Sequence, residues 1–134
     1  MARRSGTRNH KPRVLVAEDE MLIAMDLQDM LERLGYEVVG PAGNVAEIRQ
    51  LLQDGPIDGA ILDVNLRGEQ VFSVLPALMA IGMPVILASG YDDAQQFPSE
   101  FRALPRITKP FSVEAVKTTC AACFPRTGTA DANG

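Results

Sequence analysis

Glu18-Asp19-Glu20, Asp63, Ser89 and Lys109 are the residues of this chain whose types could do chemistry together: carboxylates, a hydroxyl and one ammonium, each just after or at the end of an apolar run or short strand-like stretch. Carboxylates gathered in one crevice repel one another unless a cation lies between them. An all-oxygen donor set suits a hard ion such as Mg²⁺, and the only histidine, His10, stands apart in the N-terminal segment. Mg²⁺ commonly takes one or two carboxylates and keeps water or phosphate oxygens on its other positions. One oxygen of Asp63 is then free to attack phosphorus, which would give an aspartyl phosphate. Lys109 and the cation would neutralise charge developing on the transferred group, an electrostatic effect that is often the largest part of such catalysis.

These residues need elements that bring them to one edge. Val14–Ala17, Ala60–Leu62 and Val85–Ala88 are apolar runs without polar alternation, the pattern of strands covered on both faces of a parallel sheet. Tyr36–Val39 and Arg106–Thr108 read as two further strands. Between the strands lie helical patterns. Ile23, Leu27, Met30, Leu31 and Leu34 share one face of the first helix, and Gly35 stops it. Asn44 followed by Glu47 resembles a capping box for a second helix with Val45, Ile48, Leu51 and Leu52 inside. A third helix is expected from Gly68-Glu69 to about Ile81, with Pro76 causing a kink or a late start. Residues 92–104 have weak helical character, so the fourth helix is expected to be short or mobile. Ser112 is an N-cap for a last helix to about Phe124 that carries Val113, Val116, Cys120 and Phe124 as a stripe. Strands and helices in alternation predict a doubly wound α/β domain with a five-stranded parallel sheet and right-handed crossovers. In such sheets ligands bind beyond the carboxyl ends of the strands, where the acids, Ser89 and Lys109 all fall.

Over residues 13–124 the chain resembles the response-regulator receiver family of two-component signalling, whose fold is flavodoxin-like. An acidic pair after strand one, an Asp after strand three, a Ser or Thr after strand four and a Lys-Pro after strand five occur here in order. The resemblance implies that Asp63 accepts the phosphoryl group, with Lys109 and Ser89 assisting. It also implies that Asp19 is the direct Mg²⁺ ligand, that Glu18 binds directly or through water, and that Asn65 lends its backbone carbonyl. Ser89 would then move to bond a phosphoryl oxygen, drawing the following loop with it, and the Lys109-Pro110 peptide would be cis. Glu20 reads as a helix N-terminal acid instead of a ligand.

Two segments resemble a particular subclass of receivers. Pro84 to Asp92, PVILASGYD, matches a P-F-x-F-A-T-G-G/Y pattern with Ser89 in place of Thr and aliphatic residues in place of Phe, and Asp63 to Glu69, DVNLRGE, agrees with it. Members commonly have an irregular fourth helix and work with histidine kinases of the HWE type. Arg106 occupies the position of the usual switch aromatic three residues before Lys109, so either a plain strand residue or a part of the switch surface is expected there. Arg67 replaces a common proline and reads as a solvated loop residue, and Tyr91 lies where side chains guard the phosphoryl site.

The charge distribution bears on partners. Arg3, Arg4, Arg8, Lys11 and Arg13 form a basic segment without acids, while the whole chain carries −4 and the remainder therefore −9. An acidic body argues against direct DNA binding, which relies on Lys and Arg at phosphates. Residues 1–12 are expected to be a basic disordered arm and 125–134 a flexible tail flanking the receiver domain. No signal peptide pattern is visible, which predicts a cytoplasmic protein. The uncharged run from Val71 to Tyr91 is broken by Pro76, Gly82 and Pro84 and reads as a buried helix and strand, not a membrane span. Cys120 and Cys123 have CxxC spacing, but their place on the apolar stripe favours buried free thiols over a redox or zinc pair.

With no effector domain expected, a histidine kinase or phosphotransfer protein would supply the phosphoryl group and a downstream protein would receive the signal. The resemblance also allows a homodimer through the last strand and helix. A hydrolase of the haloacid dehalogenase type is disfavoured, because the first strand ends in EDE and not DxD. The remaining alternative is a phosphate-independent interaction module on a receiver fold.

Overall fold

A computed structural model of the protein describes residues 11–90 and 97–125. Five strands, β1 (Arg13–Ala17), β2 (Glu37–Ala42), β3 (Gly59–Asp63), β4 (Val85–Ser89) and β5 (Arg106–Thr108), form one parallel sheet in the order β2-β1-β3-β4-β5. Every residue of β3 and β4 is buried. Their apolar runs are unbroken because helices cover both faces. The pairings Ala17 with Leu62, Asp63 with Ala88 and Ser89 with Thr108 bring the carboxyl ends to nearly one level.

Strand β2 runs past the expected Tyr36–Val39 through a cis Gly40-Pro41 peptide, and its register on β1 shifts so that Ala17 pairs with Ala42. Gly40 has φ 110°, and a Cβ there would lie 2.8 Å from the Val16 carbonyl oxygen. Only glycine meets both conditions. Tyr36 lies outside the strand, buried with its ring edge-on to Phe124.

Helices α1 (Met21–Arg33) and α4 (Val113–Cys123) cover one face of the sheet; α2 (Val45–Gln53) and α3 (Leu75–Ala80) cover the other. Helix α1 buries Ala24, Leu27, Met30 and Leu31, and Gly35, with φ 99°, ends it. Asn44 Oδ1 accepts from Glu47 N–H at 2.8 Å, while Glu47 Oε1 accepts from Gly43 N–H at 2.7 Å. The expected reciprocal cap is thus present, displaced by one residue on its return bond. Ser112 Oγ caps α4 by accepting from Ala115 N–H. Val116, Cys120 and Phe124 are buried as expected, but Val113, in the first turn of α4, is exposed. Both cysteines are free, with Cys120 buried.

The third helix does not open at Gly68. Gly68, with φ 82°, and Arg67, with φ 53°, form the turn of a small hairpin that pairs Asn65–Leu66 with Glu69–Gln70. A 3₁₀ turn over Val71–Val74 follows, and α3 starts only at Leu75. Pro76 then sits in the first turn, where its missing N–H would have had no intrahelical partner. The late start is the one of the two expected outcomes that occurs.

Residues 91–96, Tyr91 among them, lie outside the described residues, as do 1–10 and 126–134. In the described part of the fourth connection the helical structure is one 3₁₀ turn, Ser99–Phe101. Phe97 and Phe101 are buried there against Phe72, with ring centroids 5.3 and 5.8 Å from it. The Arg106 guanidinium lies over the Phe97 ring, 5.3 Å from its centroid. Among the described residues no helix is long and apolar enough to cross a membrane.

Burial, with Cys123 adding to it, pushes the Cys120 thiol from 9.0 up to about 12, and burial likewise moves the Tyr36 hydroxyl from 10.0 to about 12. The native state therefore keeps protons that the unfolded chain releases. Stability from these groups is complete below about pH 9 and is lost as pH rises toward 12. Urea midpoints should fall across this alkaline range, and Cys120→Val should flatten part of the fall.

Candidate functional site

The residues at the carboxyl ends converge as their strands dictate. Glu18, directly after β1, is buried, and its N–H donates to the Ala42 carbonyl at 2.8 Å. Asp63 closes β3 and Ser89 closes β4, both buried. Lys109 follows β5, with its N–H on the Ser89 carbonyl at 2.9 Å, and its peptide to Pro110 is cis as the resemblance implied. Its Nζ donates to Asp63 Oδ2 at 2.6 Å and lies 2.8 Å from Glu18 Oε1. The second contact is an ion pair without hydrogen-bond alignment, so Glu18 Oε1 is buried with no directed donor.

The remaining carboxylate oxygens are held by main-chain groups. Glu18 Oε2 accepts from Glu20 N–H at 3.0 Å, Asp63 Oδ1 from Asn65 N–H at 3.1 Å, and Asp19 Oδ2 from Arg67 N–H at 3.1 Å. One oxygen from each of Glu18, Asp19 and Asp63 lies within 4.8 Å of the others.

Burial raises the pKa of the Glu18 carboxyl; Lys109 and the Glu20 N–H oppose that rise, and the Asp63 charge adds to it. Burial by itself would lower the Lys109 ammonium, but its hydrogen bond to Asp63, its close contact with Glu18 and the charges of both outweigh this and hold it above its ordinary value. One ammonium thus serves two buried carboxylates, with Asp19 beside them. The excess negative charge, the all-oxygen donors and the unaligned Glu18 Oε1 fit a hard divalent cation.

The structure brings together Glu18, Asp19, Asp63 and Lys109 from the expected set. Asn65 adjoins them through its N–H on Asp63, and Ser89 lies on the neighbouring strand end. Glu20 is exposed at the N-cap of α1 and makes no side-chain cap bond. Arg106 is apart from the acids, on the Phe97 ring. Sequence reasoning missed the Asn65–Gln70 hairpin and its bond to Asp19. The signal that could have found it was Arg67-Gly68, a short turn dipeptide between Leu66 and Glu69.

Fold and site together define a flavodoxin-like α/β domain with a lysine-bridged acidic site at the carboxyl edge of its sheet. The response regulator receiver domain family matches residues 14–121, and the chain belongs to that family, a component of two-component signalling. Transcriptional regulatory protein PdtaR of Mycobacterium tuberculosis is 36% identical over 104 residues, covering 75% of this chain and 51% of that protein. The chain therefore spans about half the length of such curated relatives. The solution structure of SdrG from Sphingomonas melonis Fr1 is similar with a TM-score of 0.75 and 43% identity, covering 84% of this chain and 95% of that one. The solution structure of the BeF3-activated conformation of SdrG from Pseudomonas melonis Fr1 has a TM-score of 0.71 and 44% identity, covering 82% of this chain and 93% of that one.

Removing Lys109 would leave two carboxylates buried without their counter-charge. Lys109→Ala should lower the stability of the metal-free protein by roughly 3 kcal/mol, the low end for a broken buried pair because the lysine keeps some solvent contact. Adding Asp63→Asn should restore part of the loss, as measured by urea unfolding in chelator.

Proposed function

We propose that this chain is a response regulator that accepts a phosphoryl group on Asp63 from a phosphohistidine of a histidine kinase or phosphotransfer protein, and signals through a downstream protein. The observation that carries this reading is Asp63 itself, a buried carboxylate at a strand end with Lys109 Nζ 2.6 Å from one oxygen and two further acids within reach. In the transfer an Asp63 oxygen bonds to phosphorus as the donor's phosphorus–nitrogen bond breaks, and the electron pair returns to the imidazole. Lys109 faces the same oxygens and offsets their added charge. Glu18, Asp19, Asp63 and the backbone carbonyl of Asn65 would hold Mg²⁺, which when bound supplies positive charge to the phosphoryl oxygens.

The switch rests on Ser89. Its hydroxyl is at the end of β4, and the adjoining carbonyl is tied to Lys109 N–H, so a move of Ser89 toward a phosphoryl oxygen would disturb both strand ends. Such contacts shift a population between two arrangements. BeF3 has the shape and charge of a phosphoryl group, so an activated relative at 44% identity supports this reading. The PVILASGYD and DVNLRGE segments support the subclass served by HWE-type kinases, which would place the chain in the cytoplasm. Met21, Leu22 and Met25, exposed at the start of α1, offer apolar surface on which a donor protein could dock.

Intact mass after incubation with a small phosphodonor and Mg²⁺ tests the reading. One labile phosphoryl group should appear on the wild type, and none on Asp63→Asn or in chelator. Equal modification of Asp63→Asn would refute Asp63 as acceptor. No modification and no Mg²⁺ binding would favour the phosphate-independent interaction module, for which the Arg106 contact with Phe97 in place of a switch aromatic is the supporting observation.

A further inference from the structure

Asp19 is held differently from the other two acids of the site. Glu18 and Asp63 are ion-paired to Lys109 and accept main-chain bonds from residues two positions on, whereas Asp19 Oδ2 accepts its main-chain bond from Arg67 N–H, 48 residues away in the chain. Arg67 donates from φ 53°, a left-handed conformation that a non-glycine residue keeps only where its surroundings impose it.

Those surroundings are on all sides of the hairpin. Asn65 Oδ1 accepts from Gly68 N–H at 3.0 Å and closes the turn. Leu66 is fully buried in the core beneath α2 and α3. Glu69 Oε1 accepts from Val45 N–H at 3.1 Å at the start of α2, and Val71 N–H donates to the Val64 carbonyl at 2.9 Å. The hairpin is thus fixed to the core, to α2 and to the end of β3, and Arg67 N–H is the group it turns toward the acidic site.

We propose that the Asn65–Gln70 hairpin is a positioning device for the cation site: Arg67, through its backbone and not its guanidinium, orients the Asp19 carboxylate before the cation arrives. The inference rests on reading Asp19 as a Mg²⁺ ligand, and it adds Arg67, Asn65 and Glu69 as residues that act through it. Occupying one oxygen of Asp19 leaves the other for the ion. A carboxylate already oriented loses less freedom on binding, which raises affinity.

Mg²⁺ titration of the unphosphorylated full chain by NMR, with amide exchange of Arg67 followed in the metal-free protein, tests this. Arg67→Gly keeps the N–H and suits the positive φ, so its Mg²⁺ affinity should stay within about twofold of wild type, whereas Arg67→Pro, which has no N–H, should bind about tenfold more weakly. Asn65→Ala opens the turn while retaining every backbone group and guards against misfolding of the proline variant; it should weaken binding and speed exchange at Arg67. Wild-type Mg²⁺ binding with unchanged or tighter affinity in both Arg67→Pro and Asn65→Ala would overturn this inference alone. A tenfold loss in Arg67→Gly would also overturn it, by assigning the effect to the guanidinium. No Mg²⁺ binding by the wild type would overturn the functional reading and this inference with it.

Discussion

Two buried carboxylates share one ammonium, and the rest of the structure is arranged so that they can. Asp63 ends β3 and Glu18 directly follows the adjacent β1, while Lys109 follows β5, two strands from β3 in the sheet. Its side chain therefore reaches back past the end of β4, where Ser89 lies. The level strand ends, the parallel register and the tie from Lys109 N–H to the Ser89 carbonyl all serve this one crossing. A charge left unpaired in this setting would be costly, which ties the bridge to the stability of the fold.

The bridge is incomplete in charge. Asp19 adds a third acid, and nothing among the described side chains is shown neutralising it; only a main-chain N–H meets it. The acids are held close together by their surroundings: the strand ends are packed on both faces, and the hairpin is anchored to α2 and closed by its own turn bond. Membership of the receiver family fits a site that holds back negative charge in a fixed geometry.

Much of this was legible in the sequence, for reasons that differ by element. Strands β3 and β4 announce themselves because burial on both faces permits no polar residue between Ala60 and Leu62 or Val85 and Ala88. Asn44 and Ser112 were readable as caps because their side chains do the bonding. The acids, Ser89 and Lys109 were readable because ligands gather at carboxyl ends of parallel strands. The hairpin was hard to read, since two-residue strands have no periodicity and its turn is hinted at by Gly68 while Arg67, also left-handed, gives no sign of it. Its bond to Asp19 uses a backbone donor, which every residue but proline carries. Phe97 and Phe101 lie on either side of Pro98, and they pack on Phe72, a distant partner that no local pattern reveals. Val113 continues the apolar stripe of α4 in its spacing but is exposed in the first turn, since periodicity alone does not show how far packing extends along a helix.

The two outer strands of the sheet are each poor templates. On one side β2 is interrupted by Gly40-Pro41, where the register shifts and the proline has no N–H to offer. On the other side β5 has only three residues, with exposed Arg106 folded over the Phe97 ring. A sheet whose borders are broken on one side and short and charged on the other resists the docking of a further chain by strand addition. The same local irregularities that shift β2 and abbreviate β5 thus disfavour edge-to-edge aggregation.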